Sequence, residues 1–308
     1  MAQALARTAM LLIGAFFAMS AVVVRGWNII ASPSDSYIVY ASRDDALVAT
    51  LHITALDRDE SYPLDSNFDA RSGFACSANG EHFAFMHEGQ LHVISADGRH
   101  EIMNDLRGRR VHSLTISNDG TAAVVIVYSM SNLSIGIVRV PEGGIRWLSS
   151  GLYTTAPHLS YDDRTILVSA ARNAQESVRD IYTMGMDASN FRRLLTSATE
   201  AVWKPNDHTL AYIGRNRNLY LTDLQRLLSV PLTRNGRGSY VFYPAWSPDG
   251  TRLTYLAVHN NGSELHLYVA DANGKNARQL PTTGQVIDRG PCFLSFRPQT
   301  LLASASFG

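Results

Sequence analysis

The sequence predicts an all-β protein: a β-propeller of four-stranded blades after one N-terminal apolar segment. Two observations carry this. A strand–turn–strand unit recurs at intervals of 40 to 50 residues along the chain, and most copies are followed by further short runs that alternate apolar and polar residues. After the apolar segment no stretch shows the 3.6-residue periodicity of a helix. A period of this length built from short strands marks a propeller blade, because stacking blades around an axis covers both faces of each sheet.

The clearest copy is YPAWSPDGTRLTYLA, Tyr243 to Ala257. Its apolar run ends at Trp246, and Ser-Pro-Asp-Gly then makes a turn. Pro248 fixes φ, Asp249 bonds local backbone and Gly250 accepts positive φ. The same pattern sets anchors at Ala31, Cys76, Ile116, Leu159, Trp203, Trp246 and Phe296. Trp246 is expected in the core between blades. Third strands begin at Leu91, Ile181, Leu219 and Leu265 and alternate as half-buried strands do. Shorter fourth runs begin at Ile145, Arg192 and Ala277. Six units are complete. The last piece, CFLSFRP followed by TLLASASF, completes the first blade of a six-bladed ring in the preferred reading and forms a short seventh blade in the other.

PAWSPDGTRLTYLA with LHLYVADANGKNARQLP resembles the TolB-like, WD-related propeller repeat of bacterial envelope proteins. That repeat runs aromatic-Ser-Pro-Asp-Gly, strand, an Asp-rich third strand, then an Arg-rich strand ending in Leu. The unit from Tyr243 to Pro281 matches closely. Those at Trp203, Leu159, Cys76 and Ala31 match in outline, and that at Ile116 mainly through SNDG. The resemblance implies a propeller over residues 27–308 that serves as an interaction platform, with another envelope or membrane protein as partner. The first repeat follows directly on the apolar segment, so no TolB-type N-terminal α/β domain is expected.

From Thr8 to Val24 the chain carries no charge. Seventeen residues at about 1.5 Å each span about 25 Å, the lower limit for crossing a hydrocarbon core. The preferred reading is a retained single-pass anchor over residues 1–26, with Arg25 and Trp27 at the interface and the propeller outside the cytoplasm. The alternative is a secretory signal cleaved near Ser20, releasing the propeller to the periplasm. No cysteine lies near, which excludes a lipid-modified N-terminal cysteine.

Lys plus Arg and Asp plus Glu number 27 each, so no global field attracts nucleic acid. The nearest basic cluster, Arg107 to Arg110, reads as a solvated loop. The two cysteines, Cys76 and Cys292, are read as small buried apolar residues, with their pairing left open. HEGQLH has three residues between Glu88 and His92 where a zinc-protease motif has two, on a segment that reads as a hairpin. DANGKN at Asp271 and DRDE at Asp57 read as turns rather than calcium loops. No nucleophile elbow, phosphate loop or dinucleotide fingerprint occurs, so no catalytic residue, metal or cofactor is assigned.

Propellers bind at a channel mouth, through the loops that enter the innermost strands. Counting back four to seven positions from the anchors nominates Arg71, Arg110, Tyr153, Tyr240 and Arg289; Glu200, three before its anchor, joins them. This mixture of Arg and Tyr suits a protein or peptide contact. The expected function is a membrane-tethered, extracytoplasmic binding or scaffolding module. The alternative is an enzyme of hydrolase, lyase or cyclotransferase type whose channel-mouth carboxylates or histidines come from different blades.

Overall fold

The computed structural model describes residues 37–298 apart from 45–47, 58–59, 66–68, 130–131 and 177; the predicted anchor (8–24) and Ala31 lie outside them. Among the described residues no helix is long and apolar enough to cross a membrane. They form six antiparallel sheets arranged as a six-bladed propeller. Blade 2 comprises Phe74–Cys76, His82–His87, Gln90–Ser95 and His100–Met103, from the axis outwards; blade 3 comprises Val111–Ile116, Ala122–Ser129, Asn132–Arg139 and Ile145–Leu148. Blade 4 is Tyr153–Leu159, Thr165–Ala171, Asp180–Gly185 and Arg192–Leu195. Blade 5 is Ala198–Trp203, Thr209–Gly214, Leu219–Asp223 and Leu228–Pro231, and blade 6 is Tyr240–Trp246, Arg252–Val258, His266–Asp271 and Arg278–Gln279.

Blade 1 is made from both ends of this region. Tyr37–Arg43, Ala49–Ala55 and Ser61–Asp65 supply its outer strands, and Cys292–Leu294 pairs antiparallel with Tyr37–Arg43 as the innermost. Cys292 to Leu294 of the C-terminal piece therefore complete the first blade, and the ring has six blades; TLLASASF lies outside the described residues.

The anchors end the innermost strands because the turn after each is locally determined. Ser247 Oγ donates to Asp249 Oδ1 (2.6 Å), and Arg252 N donates back to Ser247 Oγ (2.9 Å). Ser77 with Asn79, Ser117 with Asp119 and Ser160 with Asp162 repeat the arrangement. Gly250, at φ 67°, takes the left-handed position, which Asp163 fills in blade 4 at φ 56°. His87-Glu88-Gly89-Gln90 is a two-residue hairpin with positive φ at both Glu88 and Gly89, the type I′ geometry that matches strand twist.

The period-2 alternation explains how blades stack. Tyr37, Val39 and Ala41 face blade 2, while Ile38 and Tyr40 of the same strand face blade 6. In blade 3, Ala123, Val125 and Val127 pack towards blade 2, and Val124 and Ile126 towards blade 4. The apolar core is thus divided into six clusters, one for each interface between neighbouring blades. Trp246 belongs to the cluster between blades 5 and 6, as expected. Phe83 is fully buried, its ring 5.2 Å from Phe85 and 6.1 Å from Phe74. Phe83→Ala is expected to cost about 3–5 kcal/mol, read as a lower urea midpoint with an unchanged slope.

The pairing of Cys76 and Cys292, left open by the sequence, is resolved: they are not merely small buried residues but form a disulfide, with Cα atoms 5.7 Å apart. Cys76 ends the innermost strand of blade 2 and Cys292 begins that of blade 1. The two are neighbours around the ring, although 216 residues separate them in sequence.

Candidate functional site

The innermost strands of blades 4, 5 and 6 share a β-bulge at one place. Register shifts between Thr155 and His158, between Thr199 and Val202, and between Phe242 and Ala245. The third residue before each anchor is left-handed: Ala156 at φ 49°, Glu200 at 52° and Tyr243 at 51°. Bulges bend a strand and re-aim its side chains, and positive φ at a non-glycine residue costs about 1–3 kcal/mol, a strain that clusters at functional sites. The innermost strand of blade 3 shifts between Val111 and Ser113, around His112.

These strands surround an axial cavity of about 530 Å³. At the turn end it is narrow. A Cβ added to Gly80 of blade 2 would lie 2.7 Å from Pro248 Cγ of blade 6, so these turns touch. Asn79 N donates to Asn118 Oδ1 (2.8 Å) and Asn118 N to Asp163 Oδ2 (2.8 Å), linking blades 2, 3 and 4. At the other end, the mouth, the wall carries Arg71, Arg110, Arg179 and Arg289 against two carboxylates, Glu200 and Asp288. His112, Tyr128 and Tyr243 complete the polar wall.

Glu200 joins three blades. Its N donates to Ser169 Oγ (2.8 Å), and its Oε2 accepts from Tyr243 N (2.5 Å). Burial pushes its carboxyl up to about 7; the Asp288 charge adds to the rise, while the Tyr243 N–H, Arg217 and Arg179 oppose it. Burial raises the Tyr243 phenol well above its ordinary range, helped by Glu200 and by Asp288, which accepts from its hydroxyl. Burial lowers His158 to about 4, and burial with the Arg289, Arg179 and Arg110 charges lowers His112. Both imidazoles are neutral at pH 7.

Of the sequence-nominated residues, Arg71, Arg110, Glu200 and Arg289 line this cavity. Tyr153 and Tyr240 do not line it; each lies under a guanidinium group. Arg179 lies 5.4 Å over Tyr153 and Arg217 5.7 Å over Tyr240, as Arg110 lies 4.5 Å over Tyr128. The RGRR loop is therefore part of the mouth through Arg110, not only a solvated turn. Arg179, Tyr128 and Asp288 escaped the sequence reading because they lie outside the four-to-seven-residue window. His112 fell inside it, and Tyr243 shares the third position that nominated Glu200. Among the described residues no group of three or more His, Cys, Asp or Glu is placed to hold a metal.

No protein-family model and no curated protein matches the chain by sequence. Solved structures match by shape. TolB from Acinetobacter baumannii superposes with a TM-score of 0.66 at 18% identity, over 86% of this chain and 68% of that one. A TolB homologue assigned in Agrobacterium tumefaciens gives 0.62 at 13% identity, over 88% and 99%. The fold is that of a TolB-like β-propeller. An oligogalacturonate lyase in complex with manganese has a similar shape at TM-score 0.50 and 11% identity, over 86% of this chain and 75% of that one. At these identities the likeness concerns fold, and the chemistry of this TolB-like propeller rests on its own mouth residues.

Proposed function

We propose that this TolB-like propeller is a membrane-tethered, extracytoplasmic binding module, spanning residues 27–308, that engages another envelope or membrane protein through its channel mouth. The carrying observation is the arginine–tyrosine pairing at the mouth: Arg110 and Arg179 of the cavity wall, and Arg217 of an adjoining groove that shares Arg179 and Glu200 with it, each lie over a tyrosine ring. Stacked arginine and tyrosine pairs are rigid, amphipathic contact groups of the type that dominates protein interfaces. The uncharged run from Thr8 to Val24 supports the tether, and a disulfide across the ring closure suits an oxidising compartment. The likeness to TolB structures is consistent with an envelope partner.

A second reading has one specific observation in its favour. Glu200, with its carboxyl near 7, beside Tyr243 and Asp288, has the properties of a general base in a cavity. Affinity capture from detergent-solubilised membranes separates the two. The binding reading expects a stoichiometric partner that is lost when Arg110 and Tyr240 are replaced together by alanine. Turnover on a panel of glycosidic and peptide substrates, abolished by Glu200→Gln and with no retained partner, would replace it by the enzymatic one.

A further inference from the structure

We infer that the arginine-lined cavity takes a carboxylate-bearing peptide segment, an acidic loop or chain terminus of the partner. This rests on the binding reading above and names its chemistry. Buried polar atoms without a hydrogen-bond partner are rare in folded proteins. Here five belong to residues lining this one cavity: Arg179 Nη1, Arg289 Nε, Trp203 Nε1, Trp246 Nε1 and His158 Nδ1. Trp246 is only 7% exposed. Four of the five are obligate donors, and the imidazole joins them as one of its tautomers. The wall around the cavity therefore holds a surplus of donors, which favours a ligand rich in acceptors.

Charge narrows the class. Four arginines face two carboxylates in the cavity, and one of the two, Glu200, stands in the desolvated position between blades. Three arginines outside the cavity pair locally, Arg99 with Asp97, Arg193 with Asp180 and Arg226 with Asp223. In the mouth, Arg110 and Arg179 stack on tyrosines instead. Stacking fixes the guanidinium plane and leaves its edge for bidentate pairing with a carboxylate.

Shape favours a peptide over an acidic polysaccharide. Beneath the arginines the wall turns apolar at Phe74, Leu114, Val202 and Phe293. Pro248 against Gly80 narrows the far end. A chain that enters meets a narrowed far end, and an apolar side chain beside a carboxylate matches both levels of the wall. A long uniform polymer lacks the apolar group.

Calorimetric titration of the intact protein tests this with an acetylated hexapeptide of three glutamates and one phenylalanine, its glutamine counterpart, and trigalacturonate. The glutamate peptide is expected to bind at least tenfold tighter than either other ligand, and Arg179→Met with Arg289→Met to remove that preference. Equal binding of the two peptides, absence of binding by the glutamate peptide, or tighter binding of trigalacturonate would overturn the inference. The peptide comparison uses the unaltered protein, so it holds even if the arginine variant does not fold. If the unaltered protein retains its membrane partner while showing no glutamate preference, the carboxylate inference fails and the binding reading stands. If no partner is retained either, both fail.

Discussion

Replacing Cys292 by serine lowers the melting temperature of the propeller by roughly 5–10 °C, corresponding to a loss of about 2–5 kcal/mol. The bond joins the innermost strands of blades 1 and 2 across 216 residues of sequence. In the chain-entropy account a loop of that length removes on the order of 5 kcal/mol of freedom from the unfolded state, with measured losses usually smaller. Its position adds to the effect. The closing strand pairs with Tyr37–Arg43 through only three residues, Cys292 to Leu294, and Phe293 and Leu294 fill the two clusters on either side of blade 1. Losing the bond releases a short innermost strand and, with it, the join of the ring. Cys76→Ser with Cys292→Ser should show the same loss as the single variant, and dithiothreitol should lower the melting temperature of the unaltered protein by the same amount. A loss below about 2 °C would mean that strand pairing alone closes the ring.

Glu200→Gln stabilises the protein above pH 7 and leaves it unchanged below pH 4.5. The folded carboxyl lies near 7, raised from its ordinary value of 4.5 by burial first. Below 4.5 it is protonated in both states and costs nothing. Between 4.5 and 7 the unfolded chain gives up the proton freely in water while the desolvated carboxyl of the folded protein keeps it, so stability falls across that window and levels off above 7. At pH 8 the glutamine should recover roughly 2–3 kcal/mol, since its amide oxygen can still accept from Tyr243 N. Buried histidines act with the opposite sign. Burial first, with neighbouring histidine charge, lowers His92 to about 3, and burial lowers His100 and His158 to about 4. Their contribution is complete above pH 6.5 and is lost as pH falls towards 4. The melting temperature of the unaltered protein should therefore fall steeply below pH 6, whereas Glu200→Gln removes the loss of stability that Glu200 causes between pH 4.5 and 7. Equal melting of the two proteins at pH 8 would mean that Glu200 is solvated.

The blade unit was legible because its determinants are local. Ser247, Asp249 and Gly250 fix the turn through bonds within six residues, and the third strands predicted from Ile181 and Leu219 lie in Asp180–Gly185 and Leu219–Asp223. The mouth was legible only where a functional residue lies a few positions before its anchor, as Arg71, Arg110, Glu200 and Arg289 do. Arg179 enters from the loop between the second and third strands of blade 4, and Tyr128 lies near the end of the second strand of blade 3, so no offset from an anchor finds them. The disulfide was hidden for a related reason. Its partners are adjacent only after the C-terminal strand has closed the ring, and a spacing of 216 residues carries no trace of that.

Site-specific photocrosslinking in membranes tests the central claim, that a partner docks at the arginine–tyrosine mouth. A photoreactive phenylalanine analogue at position 71 or 240 samples the mouth, and one at position 249 samples the turn end. Adducts with one partner from positions 71 and 240, and none from 249, are the predicted result. Adducts from position 249 with none from the mouth would contradict it.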